Sequence, residues 1–250
     1  MSGAAAARRW RGPAALIVGL LVLWQLLYLL AGEVALRTPA QTVAYTLSLV
    51  PQDAFWTHVE ESATAFGAAL AIAVASGLAI GLLLGFHRLS GDVGEPMLVA
   101  VYSIPKVTLY PIVLLAFGLG MPAKIAFGAI HGFVPIALFT INAVRNIRPI
   151  LVKTGRVLRL GPIETATRIL LPAALPEIFT GLRIGFALTL IGTLLGEMFA
   201  SQRGLGYMLM NAIGLHNVDV IMSVTFLLIV FAAVVSSILL RIDRALHRRF

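Results

Sequence analysis

Six apolar runs, each close to the roughly 20 residues that a helix needs to cross the hydrocarbon core of a bilayer, follow one another along this chain. They occupy residues 13–31, 63–86, 95–118, 122–144, 176–199 and 220–240. A soluble fold would have to hide all of this surface from water, whereas lipid removes the need. Composition agrees: of 250 residues, 59% are hydrophobic and 12% charged, with a mean hydropathy of +0.95. Soluble domains average about 45–50% apolar and about 25% charged. The reading is an all-α polytopic membrane protein with about six transmembrane helices. It forms a single domain over residues 1–250, with no room for a soluble catalytic one.

The first run follows Arg8, Arg9 and Arg11, as a secretory signal would. Its apolar core exceeds the about 7–15 residues usual in such signals, so a retained helix is expected. Residues 32–62 are mixed, and 39–50 read as an interfacial helix. In the second run Gly67, Gly77, Gly81 and Gly85 offer small side chains through which helices can approach closely in lipid. Residues 87–92 read as a polar hinge. Pro105 and Pro111 each remove a backbone donor, so the third span should be kinked.

Short loops rich in Lys and Arg stay on the cytoplasmic side. With the N-terminus inside, the inside segments hold 14 of the 19 Lys and Arg residues, and the outside segments hold only Arg37, Lys124 and Arg203. Both termini are then cytoplasmic. The net charge of +8 and pI near 10.6 could signal nucleic acid. However, the basic residues lie between apolar runs and not on one face, so no nucleic acid is expected. The absence of cysteine excludes disulfides and thiolate chemistry.

The longest inside segment, residues 145–171, is amphipathic and basic. Within it Arg156 and Arg159, three apart, are expected to share a helical face. The segment reads either as a surface helix held by acidic headgroups or as a docking helix for a cytoplasmic partner.

The following stretch, Leu171-Pro172-Ala173-Ala174-Leu175-Pro176-Glu177-Ile178 through Gly181-Leu182-Arg183-Ile184-Gly185, resembles the segment after the EAA loop of binding-protein-dependent ABC permeases. The likeness is to the branch that handles nitrate, sulfonates and taurine. Ile104-Pro105-Lys106 with Pro111 and Phe117-Gly118-Leu119-Gly120 resembles that branch's third span. Gly196-Glu197-Met198 resembles its fifth, and Gly204-Leu205-Gly206-Tyr207 the loop before its last. These matches occur in the family's order over about residues 60–240.

The resemblance implies a type I ABC importer permease fold in the bacterial inner membrane. It also implies partners: a second permease copy or a paralogous permease, a cytoplasmic ABC ATPase dimer, a periplasmic solute-binding protein and membrane lipid. ATP and Mg would be bound by the ATPase, leaving no cofactor, metal or catalytic residue in this chain. Its EAA-like coupling loop would use Lys153, Gly155, Arg156, Arg159, Gly161, Glu164 and Arg168. The sequence departs from the family here. Counting back from Pro172 without gaps puts the family's Glu at Lys153 and its glycine at Arg159. Aligning Gly161 with that glycine instead puts Gly155 at the Glu position. Either way the acidic residue is missing.

Four polar residues inside spans are candidates to line the pathway. Lys106 carries a charge that costs at least about 2.5–3.5 kcal/mol at the bilayer centre if unpaired. It either contacts an anionic solute or pairs with a helix carbonyl. Glu197 cannot reach Arg183 along its own helix, because fourteen residues span about 21 Å; a partner on another helix is expected. His131 and Tyr110 complete the set. Lys106 and the branch point to a small anionic solute. There is no HExxH pair, GxSxG elbow or GxxxxGK[ST] loop, so ATP hydrolysis is expected from another polypeptide. The other readings are a secondary transporter or channel, and a polytopic membrane enzyme.

Overall fold

The structure, a computed structural model, describes residues 3–247; Arg248 and Arg249 of the basic tail lie outside them. The described residues form eleven α-helices. They are α1 (Gly3–Ala31), α2 (Pro39–Leu49), α3 (Asp53–Phe86), α4 (Arg88–Ser103), α5 (Tyr110–Phe117), α6 (Met121–Arg145), α7 (Pro149–Val157), α8 (Pro162–Thr165), α9 (Leu171–Ala200), α10 (Leu205–Gly214) and α11 (Val218–His247). A 3₁₀ turn, Lys106–Leu109, precedes α5, and a π turn, Ala166–Leu170, joins α8 to α9.

Proline sets many of these starts. It sits in the first turn of α2, α5, α6, α7 and α9, where its missing N–H is not needed. At α2 the start is reinforced by a capping box: Gln41 N–H donates to Thr38 Oγ1 at 3.1 Å, and Thr38 N–H to Gln41 Oε1 at 2.9 Å.

Five helices are long and apolar enough to cross a membrane, or six if one bent pair counts as a span. The bent pair is the expected third span, and its bend is 86°, far more than a kink. Pro105 holds the preceding Ile104 in extended geometry, φ −66° and ψ 130°, because its ring excludes the helical region for its neighbour. Pro111, by contrast, starts α5 without bending it. The expected hinge at 87–92 shrinks to His87, and the 88–92 stretch is the first turn of α4. The expected loop before the last span is the helix α10. The fifth crossing continues through the π turn, from Ile163 to Phe199, 37 residues.

By Cα proximity the chain divides into two compact units, residues 1–56 with 208–230 and residues 57–207 with 231–250. In the first, Trp24 lies 6.2 Å from the Phe226 ring and donates to Arg37 O at 2.9 Å. Arg37 grips Asp219 through two bonds of 2.6 and 3.0 Å, which raises the guanidinium pKa further above its ordinary value. No residue of the α1 span is fully buried, and Leu16, Leu23 and Leu30 are exposed; lipid is the medium that suits such a face.

The second unit is built around α6, whose span is two-thirds buried. One side receives α3 through Gly77, Gly81 and Gly85, which face Ile136, Thr140 and Val144. The other receives α9 through Gly181, Gly185 and Gly192, which face Phe139, Ile136 and His131. From α6 itself, Gly128 and Gly132 face the hydroxyls of Thr193 and Thr189. In lipid there is no hydrophobic drive between helices, so close backbone approach must supply the packing. A Cβ on Gly185 would fall 2.6 Å from Ile136 Cδ1 and 3.0 Å from Gly132 O. Gly185→Val should therefore cost about 1–3 kcal/mol through overpacking, measured as a lower thermal transition of the detergent-purified subunit. An unchanged transition would show the seam to be looser than these distances imply.

Candidate functional site

Two polar sites cap the ends of α6, about 32 Å apart by helix rise. At its C-terminal end Arg145 reaches across to α4. Its guanidinium donates to Glu95 Oε2 at 3.0 Å, to Arg88 O at 3.1 Å and to the Asp92 carboxylate. Gly91 makes room: a Cβ there would come within 3.1 Å of the guanidinium carbon and 2.6 Å of Leu84 O. Arg145, Arg88, Asp92 and Glu95, with Asn142 and Asn146, line a polar recess of about 580 Å³.

Four residues beyond Arg145 begins α7, the first limb of the predicted coupling loop. It ends in a Schellman turn: Leu160 N–H donates to Gly155 O and Arg159 N–H to Arg156 O, both at 3.0 Å. The residue in the left-handed position is Arg159, φ 51°. That conformation costs a non-glycine residue about 1–2 kcal/mol. It falls on the position that ungapped counting gives to the family's glycine, and not on Gly161. The expectation that Arg156 and Arg159 share a helical face is corrected: α7 stops at Val157, and the left-handed residue turns the chain back.

The return limb packs on the first through Gly155, which is buried and faces Thr165. Glu164 pairs with Arg168 at 3.4 Å and accepts weakly from Gly161 N–H. Lys153, Arg156 and Arg159 are exposed and make no ion pair among the described residues. Beside them Val157, Leu158 and Ile163 are 81%, 61% and 79% exposed.

At the N-terminal end of α6 the Glu197 carboxyl group is fully buried. The Ser62 hydroxyl lies 2.8 Å from both its oxygens, and Gly206 N–H donates to it at 2.9 Å. Ser62 in turn accepts from Leu205 N–H at 2.7 Å, and His58 accepts from Gly204 N–H at 3.1 Å. Lys124, 1% exposed, bonds Glu61 at 2.8 Å and Arg203 O at 2.9 Å. The first amides of α10 thus rest on a carboxyl group delivered by α9 and braced by α3. Gly204, φ 114°, and Gly206 allow this, since a Cβ on either would collide with Glu197. The expected partner of Glu197 on another helix is Ser62. His58, Ser62 and Glu61 were not singled out in the sequence, and Lys124 counted there only as an outside charge.

The remaining candidates are placed as follows. Lys106 sits at the break, half-buried, with Nζ 3.1 Å from Tyr102 O and 4.5 Å above the Tyr102 ring. Tyr110 is buried against Phe127 and donates to Gly196 O at 2.7 Å. His131 is buried, its Nδ1 2.8 Å from Phe127 O. Lys106 Nζ, Tyr110 Oη and His131 Nδ1, like the carboxyl oxygens of Glu197, are engaged within the chain.

The family model described as binding-protein-dependent transport system inner membrane component matches residues 77–250. The chain belongs to that family. It is 27% identical over 256 residues to the taurine transport system permease protein TauC of Escherichia coli, covering 96% of this chain and 92% of the relative. With the nitrate import permease protein NrtB of Leptolyngbya laminosa it shares 30% identity, over 83% of this chain and 77% of the relative. The bicarbonate transport system permease protein CmpB of Synechococcus elongatus is also 30% identical, over 86% and 82%. Among solved structures, the inward-facing MetNI methionine ABC transporter matches with a TM-score of 0.64 at 23% identity, over 76% of this chain and 94% of that one. The fold is therefore that of a type I importer permease, and the chain is a multi-pass permease subunit. The readings as secondary transporter, channel or membrane enzyme fall away.

Proposed function

We propose that this permease lies in the bacterial inner membrane with both termini cytoplasmic and passes a small anionic solute inward. A periplasmic binding protein delivers the solute. A cytoplasmic ABC ATPase dimer, holding the ATP and Mg, docks on residues 145–171, and the pathway is completed by a second copy or a paralogous permease. The anionic solute is supported by relatives named for taurine, nitrate and bicarbonate. The observation that carries the docking is the loop tip itself. Val157, Leu158 and Ile163 stand exposed beside Lys153, Arg156 and Arg159 on a rigid turn, a surface suited to burial against protein. Glu164 with Arg168, and Gly155 with Thr165, hold that turn in shape.

Under this reading Glu197, Tyr110 and His131 brace the helices, and Lys106, half-buried beside the break, is the remaining candidate to meet the solute. The experiment is purification of the chain with its native partners and reconstitution into liposomes. A soluble ATPase should co-purify, and its hydrolysis should rise several-fold when solute-loaded binding protein is added. Hydrolysis indifferent to loaded binding protein would remove the importer reading.

A further inference from the structure

We infer that the coupling tip recognises an acidic, apolar-lined groove on its ATPase, and that Arg159 is held in its unfavourable backbone conformation as the central contact. The inference rests on the docking reading above. Three observations carry it. A left-handed backbone costs a non-glycine residue about 1–2 kcal/mol, and Arg159 has φ 51° and no ion pair among the described residues. A glycine would make the same Schellman turn without strain, so the geometry alone does not call for arginine. The sign of the neighbourhood is uniform. Lys153, Arg156 and Arg159 share the tip, and the one acid in the loop, Glu164, is already paired with Arg168.

Acidic headgroups would also attract this charge, but length argues against them. The crossing from Ile163 to Phe199 has 37 residues, about 55 Å at 1.5 Å per residue. A bilayer is about 40–45 Å thick with its headgroups. The apolar stretch 176–199 fills the hydrocarbon, leaving residues 163–175, about 20 Å of helix, on the loop side. The tip at Leu158–Leu160 lies at the far end of that projection, beyond the lipid surface. Charge held there, next to apolar side chains, meets protein. Arginine suits such a contact, since its planar fork pairs carboxylates through two bonds at once.

The test uses the full chain in nanodiscs and the ATPase subunit that co-purifies with it, with affinity measured against salt. Arg159→Gly should leave thermal stability equal or higher, because the turn is relieved. The same variant should weaken ATPase binding roughly tenfold and flatten its salt dependence. Arg159→Glu should weaken binding further. A paired lysine substitution of the ATPase groove's acidic residues should restore binding of Arg159→Glu. Arg159→Gly binding as tightly as the native chain would overturn the inference while leaving the docking reading intact. Loss that tracks the anionic lipid content of the nanodisc and not the ATPase would assign the tip to lipid and overturn it too. Failure of the native chain to bind any ATPase would sink both.

Discussion

Replacing Glu197 by alanine should destabilise the purified subunit by about 3 kcal/mol or more, the cost of stranding two or three buried hydrogen-bonding groups. Three helices are joined at this carboxyl group. Ser62 of α3 bonds it, α9 carries it, and Gly206 of α10 donates its amide to it. With the carboxyl gone, the Gly206 amide loses its partner inside a buried site. Leu205 keeps only a Ser62 hydroxyl that has lost its own anchor. Lys124, 1% exposed, keeps Glu61. Gly204→Val should do comparable damage from the other side, because its φ of 114° excludes a branched side chain and its Cβ would strike the same carboxyl. Since both changes break one contact, their effects should not add. Thermal unfolding of the two single variants and the double variant in detergent checks this. A fully additive double variant would show that Glu197 and Gly204 act separately.

Removing the Arg145 side chain should instead spare the fold and damage the energy coupling. Arg145 ties Asp92 and Glu95 of α4 to the end of α6, where the predicted coupling loop begins. The far end of α4 is the 86° break beside Lys106. Under the docking proposed above, a push on α7 would reach the broken span by way of this guanidinium. Arg145→Ala should leave ATP hydrolysis of the reconstituted complex near its native rate. Uptake should fall by roughly two- to thirtyfold, the span that single residues along a coupling route produce. Arg145→Lys should fall between the two, because an ammonium cannot fork across two carboxylates and a carbonyl. The decisive quantity is ATP consumed per solute imported. A ratio unchanged from the native complex would mean that the clasp only anchors α4.

The spans were legible because run length and proline position depend on the local chain alone. The runs at 122–144 and 220–240 lie inside α6 and α11, and the break at Pro105 follows from the steric demand of one ring. Gly77, Gly81 and Gly85 were readable as a packing face, although Gly67 meets nothing within 4 Å. What was hidden depends on partners distant in sequence. Ser62 and Glu197 are 135 positions apart, and no local pattern links them. Lys124 looks like a loop charge until Glu61 and Arg203 O close around it. Residues 88–92 look like a hinge because they are polar. They are helical, and their one acid, Asp92, receives Arg145. The turn at Arg159 was misread as helix because arginine gives no glycine signal, and only the backbone reveals that the position demands one.

The seam along α6 has a mechanical consequence. Glycine on one helix against bulky or hydroxyl side chains on the other leaves no slack for α3, α6 and α9 to slide or part, so these three must travel as one body. A solute cannot slip through their middle. Under the function proposed above, its route runs along the outer flank of this block, with the second permease as the opposite wall.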